Sequence, residues 1–499
     1  MKLRFLAAVA ALALAVPAAA HEGHHAGNAE RYDAPAPTAT DASAKRKWLA
    51  GDHHIHSEFS ADYQPNPVDP GALPTPLFGK DGRYSIRKNA EMARQFSLAW
   101  MVSTDHGGPG HARINHDIAY PALLESRSAV PEVIQFFGME FDTPAGDHSS
   151  LIIPRSPAER GQLREIEAGW SQREAHPADP ARDKPERMIE GLTVMRRQQH
   201  PPVLIANHPS RSAPSDTEYG RYDPAEFRDW NDVAPNVAVG MEGAPGHQAS
   251  ALKPDGTLDP SGKRGSYRKV ATMGGFDPMT ARLGGMWDAF LGEGRRWWVT
   301  ATSDSHVNWR DGGNDFWPGE YAKTYVLARR DPGDIVDGLR HGRIFVATGE
   351  LVDSVDLRVG PAGGRGPVAT TGGTLKVKPG QKVTVEVSVR DPAGHNAAGR
   401  SPEVSRVDLI AGSIRRPGLD RMADRNPTTR VVRRFTSRDW ARRGDVLTMR
   451  HTFSNVREAF YVRLRGTSGG ELEPVSDPAG EDPWNDLWFY SNPVFVELK

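Results

Sequence analysis

Five short apolar runs in this chain each lead into side chains that bind metals or move protons. Residues 48–50 precede Asp52-His53-His54-Ile55-His56, and residues 98–103 precede Thr104-Asp105-His106. Residues 133–137 precede Gly138-Met139-Glu140, with His148 soon after; residues 203–206 precede Asn207-His208-Pro209; residues 297–302 precede Ser303-Asp304-Ser305-His306. Side chains two apart on an extended strand point the same way, so His54 and His56 can address one site. Asp304 and His306 can do likewise, while His53 and Ser305 turn away to pack. A lone His-x-His is more often a surface or satisfied core pair than a ligand set. Five such ends are not explained by packing, because buried ionisable groups are costly unless they pair or bind metal. There is no cysteine, which excludes thiolate sites, cysteine nucleophiles and disulfides. Imidazole and carboxylate must then hold any ion, a donor set suited to zinc, iron or manganese rather than copper(I). Cations held close together need a shared anionic ligand, and Glu140 is a candidate bridge.

The elements that must position these residues are legible in the same stretch. Further apolar runs at 150–153, 237–241 and 324–327, with helix-like segments at 86–95, 185–198 and 279–291, complete an alternation from residue 48 to about 347. Such alternation predicts an α/β architecture of βα units around a parallel sheet or barrel. In a barrel the strand ends open on one face, where active sites sit. Arg211, close behind His208, is expected there as a clamp for an anionic group. Glu242 and His247, after the run 237–241, are expected as substrate contacts; all three residues also fit ordinary solvated loops. Trp287, Trp297 and Trp298 are expected to pack helix and sheet rather than line a ligand site. Near Glu350 the rhythm changes to strand-like runs at 353–359, 382–389, 406–411, 429–434, 446–453, 460–465 and 494–498, separated by turn residues. That pattern predicts a small β-sandwich over residues 350–499 after a first domain over 46–349. A chain of 499 residues is too long for one ordinary core, which agrees with two domains.

Residues 1–20 have the form of a signal peptide: Lys2 and Arg4, an apolar stretch too short to span a bilayer, then Ala18, Ala19 and Ala20 as a cleavage site. Residues 21–45, rich in Ala, Pro, Thr and Asp, are expected to be a flexible leader. Cleavage would take the basic residues from 62 to 60 against 63 acidic ones, a net charge of −3. That balance disfavours nucleic acid or an anionic membrane as main partner. No later run is long and apolar enough to cross a membrane, so a periplasmic or secreted protein is expected.

The order of motifs resembles the polymerase and histidinol phosphatase (PHP) superfamily. The matching stretches are DHHIHSEFSAD, VSTDHGG, GMEFD with a following His, NHPS and SDSH, within about residues 48–310. The resemblance implies a distorted seven-stranded β/α barrel holding two or three divalent ions (Zn, Mn or Fe), and in most known cases hydrolysis of phosphate esters. It assigns His54, His56, Glu140 and Asp304 to a first ion, Glu140, His148 and His208 to a second, and Asp62, His106 and His306 to a third. Asp62 stands in S-A-D-Y where the family more often has S-D-G. Asp52 and Asp105 look like partners that orient neighbouring imidazoles, although both also fit a plain strand-end cap. An exported chain with a trailing β-sandwich is similar to a branch that includes a carbaryl-type carbamate and ester hydrolase.

These residues together predict a metal-dependent hydrolase for a small-molecule ester, most simply a phosphoesterase. A metal-bridging hydroxide would attack, with the third ion steadying charge on substrate or leaving group. His54, His56, Glu140, Asp304 and Asp105 would carry catalysis. A carboxylester or carbamate hydrolase is the alternative, and a non-catalytic binding protein a remoter one. Two motifs mislead. His21-Glu22-Gly23-His24-His25 matches HExxH but has no helix to hold it. Gly466-Thr467-Ser468-Gly469-Gly470 matches G-x-S-x-G but reads as a hairpin loop.

Overall fold

The computed structural model describes residues 46–66, 68–69, 71–415 and 418–499. The expected signal peptide, the leader and the His21–His25 motif lie outside the described residues. No helix among the described residues is long and apolar enough to cross a membrane.

Among the described residues the first half contributes eleven strands: β1 (Lys47–Asp52), β2 (Asp62–Gln64), β3 (Thr75–Leu77), β4 (Trp100–Ser103), β5 (Ile134–Asp142), β6 (His148–Ile153), β7 (Val203–Ala206), β8 (Ala238–Ala244), β9 (Trp298–Ala301), β10 (Ala322–Ala328) and β11 (Ile344–Thr348). Strands β4, β7, β8, β9 and β11 are buried along their whole length. Continuous apolar strands of this kind need cover on both faces. Their order is β11-β10-β1-β4-β5-β6-β7-β8-β9, with β2 and β3 forming a separate hairpin. The pairs β1/β4, β4/β5, β7/β8 and β8/β9 are parallel.

The sheet is mixed rather than parallel throughout. Thr143 N donates to Asp147 O at 3.0 Å, closing a tight turn after β5 that sends β6 back antiparallel. β6 is also antiparallel to β7, as β10 is to β1 and β11 to β10. One consequence bears on the site: β5 ends where β6 begins, so Glu140 and His148 reach the same end of the sheet. Beyond the named strands, Ile55 and Ser305 form a parallel bridge, with His56 N donating to Ser305 O at 3.0 Å. The segment leaving β1 thus lies beside the segment leaving β9.

Several helices begin at side-chain caps. Ser85 caps Ile86–Gln95, Asp223 caps Pro224–Val233 and Asp331 caps Pro332–Arg340, each accepting from a backbone N–H of the first turn. The continuous helix expected over 279–291 is instead two, Pro278–Ala281 and Met286–Gly292. Gly284, at φ +72°, takes the left-handed turn between them, and its N–H goes to Asp288 Oδ2 at 2.8 Å. Trp287, Trp297 and Trp298 are core residues, as expected.

Among the described residues after 350, the regular elements are strands. Ser354–Pro361, Val383–Arg390 and Val446–Phe453, with the short Ala369–Thr370 and Ala441–Arg443, form an antiparallel five-stranded sheet. The other C-terminal strands extend the large sheet, because Trp488–Ser491 pairs antiparallel with β11. The change near Glu350 is therefore a change of strand pattern that the hydrogen-bonded ladder crosses. Val355, Val385 and Tyr490 share one hydrophobic core with Phe137 and Trp298. Arg463 of the C-terminal region is buried against Asp288 at 2.8 Å.

Candidate metal centre

The five strand ends converge. His54 Nε2 lies 3.1 Å from Glu140 Oε1 and 3.0 Å from Asp304 Oδ1. His56 Nε2 lies 3.1 Å from the same Asp304 oxygen and 3.6 Å from Glu140 Oε2. The same Glu140 Oε1 also meets His148 Nδ1 at 3.0 Å and His208 Nε2 at 3.2 Å. A third group forms around His106, 2.9 Å from Asp81 Oδ2, and His306, 3.5 Å from the same atom. The rings of His56 and His306 stack with centroids 3.7 Å apart. Ligand atoms fall into overlapping sets within 4.8 Å of one another: His54/His56/Glu140/Asp304, Glu140/His148/His208, His56/Asp81/His106/His306 and His247/Asp304/His306. Glu140 belongs to the first two sets, the arrangement two neighbouring ions require, whereas His56, with a single Nε2 lone pair, can serve one of its two sets at a time.

Hydrogen bonding shows that these residues fit metal ions. His56 Nε2, His148 Nδ1, Asp304 Oδ1 and Asp81 Oδ2 are buried atoms with no hydrogen-bond partner, although carboxylate and ring atoms face each other at about hydrogen-bond distance. Orphaned buried polar atoms are costly, and their convergence on shared points accounts for them if a cation sits there. Backbone strain gathers at the same place. His208 (φ +32°), His247 (φ +56°) and Asp304 (φ +47°) adopt left-handed conformations that cost non-glycine residues about 1–3 kcal/mol each. Gly246 admits Asp304: a Cβ at Gly246 would lie 2.0 Å from Asp304 Cβ.

A second layer of side chains fixes the first. Glu242 is fully buried; its Oε1 accepts from His54 Nδ1 and Thr302 Oγ1, both at 2.7 Å, and its Oε2 accepts from His208 N at 2.6 Å. It places the His54 proton on Nδ1 and leaves Nε2 free to act as a ligand. Asp105 accepts from Ser57 Oγ at 2.7 Å and Ser60 Oγ at 3.0 Å, and Ser60 in turn meets His56 Nδ1 at 2.8 Å. Asp105 therefore steers His56 through a serine. Asp52 caps backbone, accepting from His54 N at 3.0 Å and Ser303 N at 3.1 Å. Burial, the largest influence, pushes its carboxyl up to about 7 against these bonds.

Electrostatics follow from crowding. Burial alone would lower the basicity of His54, yet the surrounding Asp304, Glu140 and Glu242 carboxylates hold it well above the usual range. His148 is likewise raised to about 10, burial being overcome by Glu140 and Asp142. Glu140 and Asp304 stay well below the usual carboxylate range despite burial, the first through His148 and His54, the second through His54 and His247. Burial and the neighbouring His306 keep His56 well below its ordinary value. Without cations the cluster holds protons that a bound cation must displace.

The geometry corrects the sequence expectation at Asp62 and Glu242. Asp62 sits exposed on the β2–β3 hairpin, outside every ligand set; Asp81 takes that place. Gly82 allows it, since a Cβ there would lie 2.0 Å from Ser57 O, and Arg83 N donates to His306 O at 3.2 Å. Glu242 does not reach the cleft and supports ligands instead. His247 does line the cleft, but it is held between Asp304 Oδ2 at 2.9 Å and Asp315 Oδ1 at 2.5 Å. Asp315 gave no sequence signal, standing in a plain loop. It also accepts from His306 N at 2.7 Å and Val307 N at 3.0 Å, tying the His306 loop to His247. Arg211 lies where expected, on the wall, 3.6 Å from Asp147 and 4.0 Å from Asp304. The cleft measures roughly 430 Å³, and Val307 is the one aliphatic side chain among its lining residues, which include Asp81, His106, Arg211 and Asn314. The other acidic group, Asp477, Glu481 and Asp486, surrounds the buried Arg264 guanidinium at 3.3–3.8 Å.

No protein-family model matches the chain, and no curated protein matches it.

Proposed function

We propose that this chain is an exported metal-dependent hydrolase of the PHP kind, most simply a phosphoesterase. In this reading β1 and β4–β9 form the distorted seven-stranded barrel, closed at the Ile55–Ser305 bridge, and the C-terminal strands form a β-sandwich. Residues 1–20 direct export to the periplasm or beyond, and the chain acts on a small-molecule ester.

The observation that carries the proposal is the position of Glu140. Its carboxylate belongs to both the His54/His56/Asp304 set and the His148/His208 set: Oε1 meets His54, His148 and His208, and Oε2 faces His56. Two or three divalent ions held there would supply positive charge that acidifies water and offsets negative charge on a substrate oxygen. The chain's own residues do the rest. Glu242 fixes the His54 tautomer, and Asp105 fixes His56 through Ser60. Arg211 presents a planar guanidinium at the cleft wall, suited to orienting an anionic ester. A largely polar lining favours a compact phosphate ester over an aryl carbamate, which would call for an aromatic wall.

The test is a substrate panel on protein with its metals, beside a chelator-stripped sample. The proposal expects turnover of p-nitrophenyl phosphate or its diester, loss on stripping, and recovery with zinc, manganese or iron. Equal turnover with and without metal overturns it. Turnover of aryl esters alone reassigns the chain to carboxylester or carbamate hydrolysis, and inertness toward all of them leaves a binding protein.

A further inference from the structure

Among the described residues, the strand that delivers Asp304 and His306 has an outer edge with no ladder beside it. On its inner edge β9 pairs with β8. On its outer edge, where Val299, Ala301 and Ser303 present their backbone groups, side chains take the place of a strand. Val299 N donates to Asn492 Oδ1 and Val299 O accepts from Asn492 Nδ2, both at 3.0 Å. Ala301 N donates to Thr324 Oγ1 at 2.8 Å, and that hydroxyl donates to Ala301 O at 2.7 Å. Ser303 N donates to Asp52 Oδ2 at 3.1 Å. Beyond it, Ser305 O accepts from His56 N at 3.0 Å. The edge of β9 is thus satisfied residue by residue up to the ligands themselves.

Asn492 comes from the far end of the chain, between the strands Trp488–Ser491 and Val494–Leu498. It is fully buried, and its own N–H goes to Ile344 O at 3.0 Å, anchoring it on β11. An asparagine amide carries N–H donors and a carbonyl acceptor on one planar group, so it can present the donor–acceptor pair a neighbouring peptide would offer. Buried peptide groups must be satisfied, so something must fill this position.

We infer that Asn492 is a positioning residue for the candidate metal centre: the C-terminal region supplies the missing peptide at the edge of β9 and so fixes the strand that aims Asp304 and His306. The inference rests on the metal-centre reading of these two residues. It gives the C-terminal strands a part in the site although they stand outside the cleft lining. Thr324 is its partner from the first half, and the two side chains form one seam.

The test compares Asn492→Leu, close in size but unable to exchange hydrogen bonds, with Tyr461→Phe, which removes a different buried bond between the two halves, Tyr461 Oη to Asp288 at 2.9 Å, together with the hydroxyl's bond to Thr429 Oγ1 at 2.7 Å. Both variants are made in the full chain and measured for melting temperature, for zinc retained per chain and zinc affinity, and for amide hydrogen exchange at Val299 and Ala301. Asn492→Leu is expected to raise exchange at Val299 and to weaken zinc binding about tenfold, the low end for residues that orient ligands indirectly. Tyr461→Phe is expected to leave zinc binding unchanged at a similar loss of melting temperature. Should Asn492→Leu fail to fold, Asn492→Asp, which keeps the acceptor and loses the donor, takes its place with the same readouts. Wild-type zinc affinity with Val299 still protected in the variant overturns the inference. So does an equal loss of zinc in both variants, which would mark a general effect of stability. A wild-type protein that binds no zinc, manganese or iron overturns the metal-centre reading and with it the role assigned to Asn492; Val299 exchange would then still report whether the seam exists.

Discussion

Replacing Glu242 by glutamine separates a ligand-supporting role from a substrate contact. Glu242 accepts three hydrogen bonds, from His54 Nδ1, Thr302 Oγ1 and His208 N, at 2.6–2.7 Å, with no exposure to solvent. A glutamine of the same shape must turn its NH2 toward one side. If it faces His208, two N–H groups oppose each other, and the lost bond costs about 1–3 kcal/mol of stability. If it faces His54, that ring must carry its proton on Nε2, which points at Glu140 and Asp304, and the ligand lone pair is gone. Either outcome weakens the centre. Removing a partner that orients a metal ligand costs about 10–100-fold in affinity, or about 1.4–2.7 kcal/mol. The assay is calorimetric titration of zinc or manganese into metal-free Glu242→Gln, with thermal denaturation alongside. Metal affinity within twofold of wild type, or a change confined to KM at full metal occupancy, refutes the reasoning and returns Glu242 to the role of substrate contact.

Further outcomes follow from the same geometry. Asp81→Asn should release one ion or weaken it at least tenfold, whereas Asp62→Asn should leave metal content at the wild-type value; elemental analysis of both variants decides. Because His148 is held up to about 10 in the metal-free site, each binding event should expel protons. Apparent affinity should therefore rise with pH from about 6 to 9, which calorimetry in buffers of different ionisation enthalpy reads directly. Away from the centre, His111 is buried against Glu167 at 2.6 Å, which overcomes the lowering by burial and raises it to about 9. A raised folded-state value contributes stability that is complete below 6.5 and lost as pH climbs through about 9. The melting temperature should fall over that window, and His111→Gln should flatten the fall. Arg211→Ala should raise KM for an anionic ester about tenfold and leave a neutral ester unaffected.

Much of the centre could be read from the chain because strand ends announce themselves: an apolar run, then His, Asp or Glu at period two. His54, His56, Glu140, His208, Asp304 and His306 all follow from that rule. Asp62 did not hold because local spacing cannot tell which of two aspartates returns to the cluster. The chain makes a hairpin excursion first, and the close approach of Gly82 to Ser57 brings Asp81 back. Asp315 was invisible for a related reason, since its value lies in what it touches across a loop. The helix over 279–291 looked continuous by periodicity, and the left-handed turn at Gly284 broke it. The change of rhythm at residue 350 was legible, but the ladder joining β11 to Trp488–Ser491 was not. Pairing partners so distant in sequence leave no local mark.

The most direct measurement is a crystal structure of the metal-loaded protein with anomalous scattering recorded at the edge of the bound element. The account predicts peaks on both sides of the Glu140 carboxylate, one shared with His54, His56 and Asp304 and one with His148 and His208, at about 2.0–2.2 Å from the ligand atoms. An ion-free Glu140 satisfied by hydrogen bonds alone, in crystals grown with excess zinc or manganese, contradicts it.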